Sequence, residues 1–310
     1  MSKSIFSAAH FNDEAAAYAY VEARVWPHGR VCPHCGVIEK SGPLNGKTNR
    51  IGLYKCYACR KPFTVKVGTI FEDSHIAMRD WLSAIHLICS SKKGISSNQL
   101  HRTLGITLKS AWFMSHRIRE AMAPVNPTRM GGESQVVESD ETFLGRKKGA
   151  ALRRGTGHKM AVMTLVERGG RARSFKIENV DRKTVQEIVH HHVDSKTRLM
   201  TDEAAHYGFG VGIAKHERVN HRAGEYARGD VSTNTAEGFF SIFKRGMKGI
   251  YQHCDEKHLH RYLAEFDFRY NARVALGVND EARAVKALKG AKGKRLTYRT
   301  TRGASAGAAA

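Results

Sequence analysis

Cys32-Pro33-His34-Cys35 and Cys56-Tyr57-Ala58-Cys59 form two CxxC turns with residues 36–55 between them, and no other feature of this 310-residue chain restricts its folding as tightly. Each turn aims two thiolates inward, and two such turns complete a closed tetrahedral site of the kind structural zinc takes. With four protein ligands and no open position, such a site supplies folding energy and not catalysis. Cys32, Cys35, Cys56 and Cys59 are therefore expected to hold Zn²⁺ in a small ribbon over residues 31–70, whose β-formers include Tyr54, Phe63, Val65 and Val67. That segment is too short to bury a core unaided. Cys89 and Cys254 stand alone, which suits a metal site in a reducing compartment better than a disulfide framework.

Charge narrows the partner. The chain carries 51 Lys and Arg against 29 Asp and Glu, a formal net charge of +22. Such an excess points to a polyanion, and double-stranded DNA is the partner expected. No run approaches the ~18 apolar residues of a membrane-spanning helix, and Met1 to His10 lack the apolar stretch of a signal peptide. A cytoplasmic, nucleoid-associated protein with no membrane contact is the expectation.

The pattern changes along the chain. A helical lead-in over residues 1–30 ends at Trp26-Pro27-His28-Gly29, and the ribbon follows. Residues 71–127 read as helices over 79–89, 97–104 and 108–122, closed by Pro124 and Pro127. The last two are joined at Leu104-Gly105-Ile106, with Thr107 as a cap, which is the arrangement of a helix-turn-helix. Its second helix would present Lys109, Ser110, His116 and Arg117 to a DNA groove. An ordinary helical hairpin with a basic solvent face is the alternative. Beyond Gly131-Gly132 the period shifts toward two, with strands over 136–143, 159–167, 173–177, 198–201 and 217–219 and a helix over 182–192. Helices over 234–248 and 257–272 follow, giving a mixed sheet with helices on its faces. Residues 276–310 read as a basic, partly disordered tail, basic beyond about Ala282 and drifting into Gly303-Ala304-Ser305-Ala306-Gly307, which lacks the apolar content to order itself.

Three acids stand out. Asp140 lies in Val136-Val137-Glu138-Ser139-Asp140-Glu141-Thr142, an otherwise central strand whose alternation puts Glu138 and Asp140 on one face and Glu141 on the other. A carboxylate there is costly unless paired or metal-bound. Asp202 follows the strand over 198–201, where a helix N-cap is its plain alternative. Glu237 shares a helix face with Ser241, Lys244 and Lys248, although Asn234-Thr235-Ala236-Glu237 also fits a capping box with Asn234 as N-cap. Acids from separate elements are what two-metal phosphoryl transfer requires, and hard oxygen ligands suit Mg²⁺ or Mn²⁺.

The order of zinc ribbon, helical segment, Val137-Glu138-Ser139-Asp140-Glu141-Thr142, Thr201-Asp202 and Asn234 to Arg245 resembles the ISXO-like insertion-sequence transposases, as do Arg24-Val25-Trp26-Pro27 and Glu265 to Arg273. The resemblance implies an α+β multidomain chain whose residues 133–275 form an RNase H-like mixed α/β core. It implies a DDE-type site with Asp140, Asp202 and Glu237 as its acids, Asn234 as an alternative third ligand, and Lys244 as a DNA contact. Binding of element ends and target DNA, phosphodiester hydrolysis and strand transfer would follow, with a homo-oligomer assembled on DNA. The basic stretch between the first two strands, with Arg146, Lys147 and Lys148, reads either as a phosphate-holding hairpin tip or as a solvated loop. Two other functions fit the composition: a DNA-binding regulator without catalysis, and a nuclease that cuts without joining. His190 to His192 end a helix and face different directions, which disfavours a metal cluster.

Overall fold

A computed structural model describes residues 4–46, 48–207, 213 and 215–297. The short helix α1 (Ala9–Asn12) and α2 (Glu14–Val25) lead in, with Asp13 accepting the Ala16 amide at the start of α2. Strands β1 (Ser41–Pro43), β2 (Tyr54–Cys56) and β3 (Pro62–Phe63) form a three-stranded antiparallel ribbon, packed on Trp26 through Tyr54 and Phe63. Helices α3 (Met78–Ser90), α4 (Ser97–Leu104) and α5 (Leu108–Met122) follow. Ser96 caps α4 and Thr107 caps α5, and Gly105 between them sits at φ +66°, a conformation open to glycine at little cost.

The second body is a five-stranded sheet in the order β6-β5-β4-β7-β8, built from β4 (Val136–Leu144), β5 (Met160–Glu167), β6 (Ala172–Ile177), β7 (Arg198–Thr201) and β8 (Lys215–Arg218). β5 runs antiparallel to β4 and β6, whereas β7 and β8 run parallel to β4. The α6 helix (Arg182–His192) covers one face through Val185 and Val189. A small hairpin, β9 (Ala227–Arg228) and β10 (Val231–Ser232), then leads into α7 (Asn234–Gly246), a π turn over Met247–Tyr251, α8 (Leu259–Asn271) and α9 (Asp280–Lys289). Phe239, Phe240, Phe243, Leu263 and Phe266 of α7 and α8 cover the other face. This is the mixed α/β core that the sequence pattern implied, joined to a ribbon and a helical segment.

Two expectations change. The tail beyond Ala282 does not remain apart: α9 packs Ala287 and Leu288 into the core formed by α2, α3, α4 and α5. Arg283 is buried there and donates to the carbonyls of Cys89 and Ala272 at 2.7 and 2.6 Å. Basic composition hid this docking because the guanidinium finds its acceptors in other elements. Residues 298–310 lie outside the described residues. The helix starting at Asn234 also ends at Gly246 and not Lys248, since the chain widens into the π turn where Gly246 meets the Lys93 carbonyl and the Phe266 ring. Lys248 therefore leaves the helical spacing that grouped it with Lys244.

The two bodies are joined by a buried polar hub. Arg119 on α5 donates to Glu265 on α8 at 2.6 Å with both side chains essentially inaccessible, and Arg269 and the Tyr251 hydroxyl bond the same carboxylate. The charged neighbours hold the Glu265 carboxyl below its ordinary range despite burial, which by itself would raise it. Breaking such a pair strands a guanidinium in a dry interior. Glu265→Ala should therefore cost about 3–5 kcal/mol of unfolding free energy, read by chemical denaturation, and Glu265→Gln less.

Candidate functional site

The most fully engaged carboxylate on this face of β4 is not one of the expected ligands. Glu138, fully buried on β4, accepts the amides of Thr235 and Ala236 in the first turn of α7 at 2.7 and 2.9 Å and the Thr235 hydroxyl at 2.9 Å. Arg168, in the turn after β5, donates to it at 2.6 Å and also holds the Asp230 and Ser232 carbonyls of the hairpin before α7. A negative charge at a helix N-terminus meets both unsatisfied amides and the positive end of the dipole. The strand alternation places Asp140 on this same face.

Asp140 sits two residues on, largely buried, with one oxygen accepting the Glu141 amide at 2.8 Å. Burial raises its proton affinity, the Glu141 charge raises it further, and Asp202 and Glu237 add to the same effect, so its carboxyl is pushed up to about 7. All three expected acids thus share one electrostatic neighbourhood. Asp202, just beyond β7, accepts the Ala204 amide at 3.0 Å in a local turn, and it is not the helix N-cap that was its alternative, since the 3₁₀ turn that follows starts only at Ala205. Glu237 is about half exposed, bonded to the Thr233 hydroxyl at 3.1 Å and 3.9 Å from His221. The capping box does not form as spaced, because Thr233 precedes the helix as its cap and Asn234 is its first, exposed residue. The Glu237 amide, which the box would give to Asn234, donates instead to the Thr233 carbonyl at 3.0 Å, and Glu138 takes the two amides before it.

On the opposite face of β4, Glu141 accepts from the Tyr207 hydroxyl and lies 2.9 Å from His206, while Tyr207 also bonds Ser139 at 2.7 Å. The turn that carries Asp202 is thereby tied to the strand that carries Asp140. Neither Tyr207 nor His206 could be singled out from sequence, since their partners lie more than sixty residues away.

The ribbon's thiols converge as the spacing requires. Cys32 and Cys59 lie 3.7 Å apart, as do Cys35 and Cys56, and all four sulfurs fall within 4.8 Å of one another. Four thiolates at about 2.3 Å from one zinc ion would stand about 3.8 Å apart, so the donor set fits the metal. Amide donation from Cys59 and Ala58 brings the Cys56 thiol down to about 7, favouring the ligating thiolate. Among the described residues, the cysteines are the one group of three or more metal-type donors drawn together this tightly.

The expected DNA contacts divide. Arg146 and Lys148 are exposed on the β4–β5 connection, where Lys147 reaches the Glu178 carbonyl. Lys244 is half-buried over the Phe240 ring on the face of α7 that carries Glu237, and Lys248 is exposed in the π turn. Lys109 is exposed near the start of α5. Arg117 is a correction: it is buried, and its guanidinium donates to the Ile70, Glu72 and Leu296 carbonyls. His116 is also buried, with its pKa pushed down to about 2 by burial and by Arg119. The polar face read into the middle of α5 is an inward one, and only the first turns of the helix remain open to a groove.

The raised Asp140 gives a test of sign. Without divalent cation, the folded chain keeps a proton on Asp140 between about pH 4 and 7 that the unfolded chain has lost. Its contribution to stability is present at low pH and is lost as pH rises through about 7. Asp140→Asn should then stabilise the zinc-loaded, Mg²⁺-free protein more at pH 8 than at pH 5, by about 1–3 kcal/mol in denaturant titrations. Mg²⁺ should stabilise the wild type more at the higher pH and the variant little at either.

Comparison with known proteins agrees with this architecture. Residues 131–271 match the ISXO2-like transposase domain, and residues 12–62 match the transposase zinc-ribbon domain. A protein of transposable element ISH50 from Halobacterium salinarum is 25% identical over 262 residues, covering 79% of this chain and 86% of that protein. Among solved structures, the Mos1 strand transfer complex aligns over 67% of this chain and 74% of its own, with 13% identity and a TM-score of 0.29. A pre-cleavage Mos1 transpososome aligns over 61% and 76%, with 10% identity and a TM-score of 0.17. Likenesses that slight carry no weight beside the two domain matches. The chain thus carries a transposase zinc-ribbon domain followed by an ISXO2-like transposase domain, the order that the resemblance to the ISXO-like insertion-sequence transposases implied.

Proposed function

We propose that this chain is a DDE-type transposase that binds the ends of its element, hydrolyses a phosphodiester to expose a 3′-hydroxyl, and joins that hydroxyl to target DNA. The observation that carries the reading is that the charges of Asp202, at a strand end, and Glu237, on a helix, both reach Asp140 on β4 and add to the burial and the Glu141 charge that push its carboxyl up to about 7. Such a field favours cations, and Mg²⁺ or Mn²⁺ suits carboxylate oxygens. Divalent ions held there would polarise the scissile phosphate and offset charge on the attacking and leaving oxygens. Asp140, which feels the charge of both other acids, would hold the ions together with Asp202 and Glu237. Asn234 is the less favoured third ligand, because its neutral amide offers a divalent ion a weaker oxygen donor than the Glu237 carboxylate.

The remaining roles follow from placement. In the first step water attacks phosphorus and the 3′-oxygen leaves with a proton. In the second that hydroxyl attacks a target phosphodiester, so one P–O bond forms as another breaks and no external energy source is needed. Lys244, Lys248 and the connection bearing Arg146, Lys147 and Lys148 would hold backbone phosphates on either side of the acids. The start of α5, with Lys109, would read the element end, and a homo-oligomer would pair two ends.

Strand transfer is the test: purified protein, labelled duplexes of the DNA flanking the gene, a plasmid target and Mg²⁺. Asp202→Asn should bind the duplex within about threefold of wild type yet lose joined products by about 10²-fold or more. Binding by wild type without cutting or joining would turn the assignment to a regulator, and cutting without joining to a nuclease.

A further inference from the structure

Between β8 and the hairpin that leads into α7, the chain makes a short 3₁₀ turn over His221–Ala223, capped by the Asn220 side chain at the Ala223 amide. The turn is tied to two of the acids. Glu203, the residue after Asp202, accepts the His221 amide at 2.9 Å and the Arg222 amide at 3.3 Å, which holds the backbone of His221 to the segment that carries the second acid. The imidazole reaches the third. Its Nε2 stands 3.9 Å from Oε1 of Glu237, and its ring lies against that of Tyr226 with 5.3 Å between centroids.

Nε2 of His221 is withdrawn from solvent and has no hydrogen-bond partner, although 29% of the side chain is exposed. A buried nitrogen left unpaired is costly, and a bound ion is one of the few things that satisfies it. Its separation from Glu237 is too long for a hydrogen bond. It is short enough for one ion to touch both atoms, since two metal–ligand bonds of about 2.1 Å span up to about 4.2 Å. Oε1 of Glu237 accepts the Thr233 hydroxyl at 3.1 Å and keeps a second lone pair for such an ion. We propose that Nε2 of His221 is a ligand of the cation held at Glu237, adding one nitrogen to a site otherwise made of carboxylate oxygens. A nitrogen donor tilts the site toward first-row ions, Mn²⁺ among them, because Mg²⁺ keeps to oxygen and gives up its water reluctantly. The Glu203 bonds give the ring a fixed origin beside Asp202. The inference rests on the cation site proposed above and names a further member of it.

The experiment uses the zinc-loaded full chain with less than one equivalent of Mn²⁺ and no DNA. Pulsed electron paramagnetic resonance of the wild type should show the bound Mn²⁺ coupled to an imidazole nitrogen. His221→Gln should abolish that coupling and weaken Mn²⁺ binding by about tenfold, while Mg²⁺ binding, read by competition, stays within about threefold. A residue that only shaped the fold would weaken both ions alike. The bonds to Glu203 are made by backbone amides, so they survive replacement of the ring. Should His221→Gln nonetheless melt early, His221→Asn decides by the same spectrum. Mn²⁺ bound without nitrogen coupling, coupling that survives in a folded variant, or an equal loss for both ions overturns the ligand and leaves the three acids as proposed. Failure of the wild type to bind Mn²⁺ removes the cation site and the role of His221 with it. Absence of strand transfer by a wild type that shows the coupling removes the transposase reading alone.

Discussion

A single buried carboxylate sets the geometry on which the rest depends. Glu138 lies in the middle of the sheet, where an unpaired charge would be prohibitive, and it is satisfied by Arg168 and by the first amides of α7. Those bonds fix where α7 begins relative to β4. Because side chains alternate along a strand and repeat every 3.6 residues along a helix, fixing Thr235 and Ala236 also fixes Glu237 relative to Asp140. Arg168 extends the clamp to the hairpin before the helix, so the approach of the chain is held as well as its start.

The same logic of charged side chains satisfied across elements recurs outside the acids. Glu265, Asp267 and Asn271, in the stretch that carries part of the family resemblance, do structural tasks. Glu265 closes the hub with Arg119, while Asp267 and Asn271 bond the Ser174 amide and both backbone groups of Ala172 on the outer strand of the sheet. An open sheet edge is a hazard that α8 thereby covers. Burial raises the Asp267 carboxyl to about 6 even with those donors, a measure of how dry that junction is. Family likeness here marks the frame as much as the chemistry.

Much of this was legible because it is local. The helices over 97–104, 108–122 and 182–192 and the strand over 198–201 have the bounds that caps and periodicity predicted, and the cysteine spacing anticipated the cluster of thiols. What escaped is set by distant partners. Arg117 reads as a basic surface residue until Ile70 and Glu72 supply its acceptors, and the amphipathic content of α9 was masked by lysines that lie on its exposed side. The hairpin at 227–232 was short enough to pass unnoticed, though Gly229-Asp230 between two-residue strands is a turn signal. Glu138 was placed on the correct face but not given its role, since neither Arg168 nor the start of α7 is near it in sequence.

Metal rescue tests the central claim most directly, because it asks whether a given side chain holds a cation while DNA is being joined. Asp140→Cys and Glu237→Cys offer a soft thiolate where a hard oxygen stood, a ligand that Mg²⁺ accepts poorly and Mn²⁺ better. Strand transfer by both variants should be lost in Mg²⁺ and partly regained in Mn²⁺, while Asn234→Cys works equally in either ion. Equal activity of Glu237→Cys in the two ions, or selective rescue of Asn234→Cys, would contradict the assignment of the third acid, and indifference of Asp140→Cys to the metal would contradict the site itself.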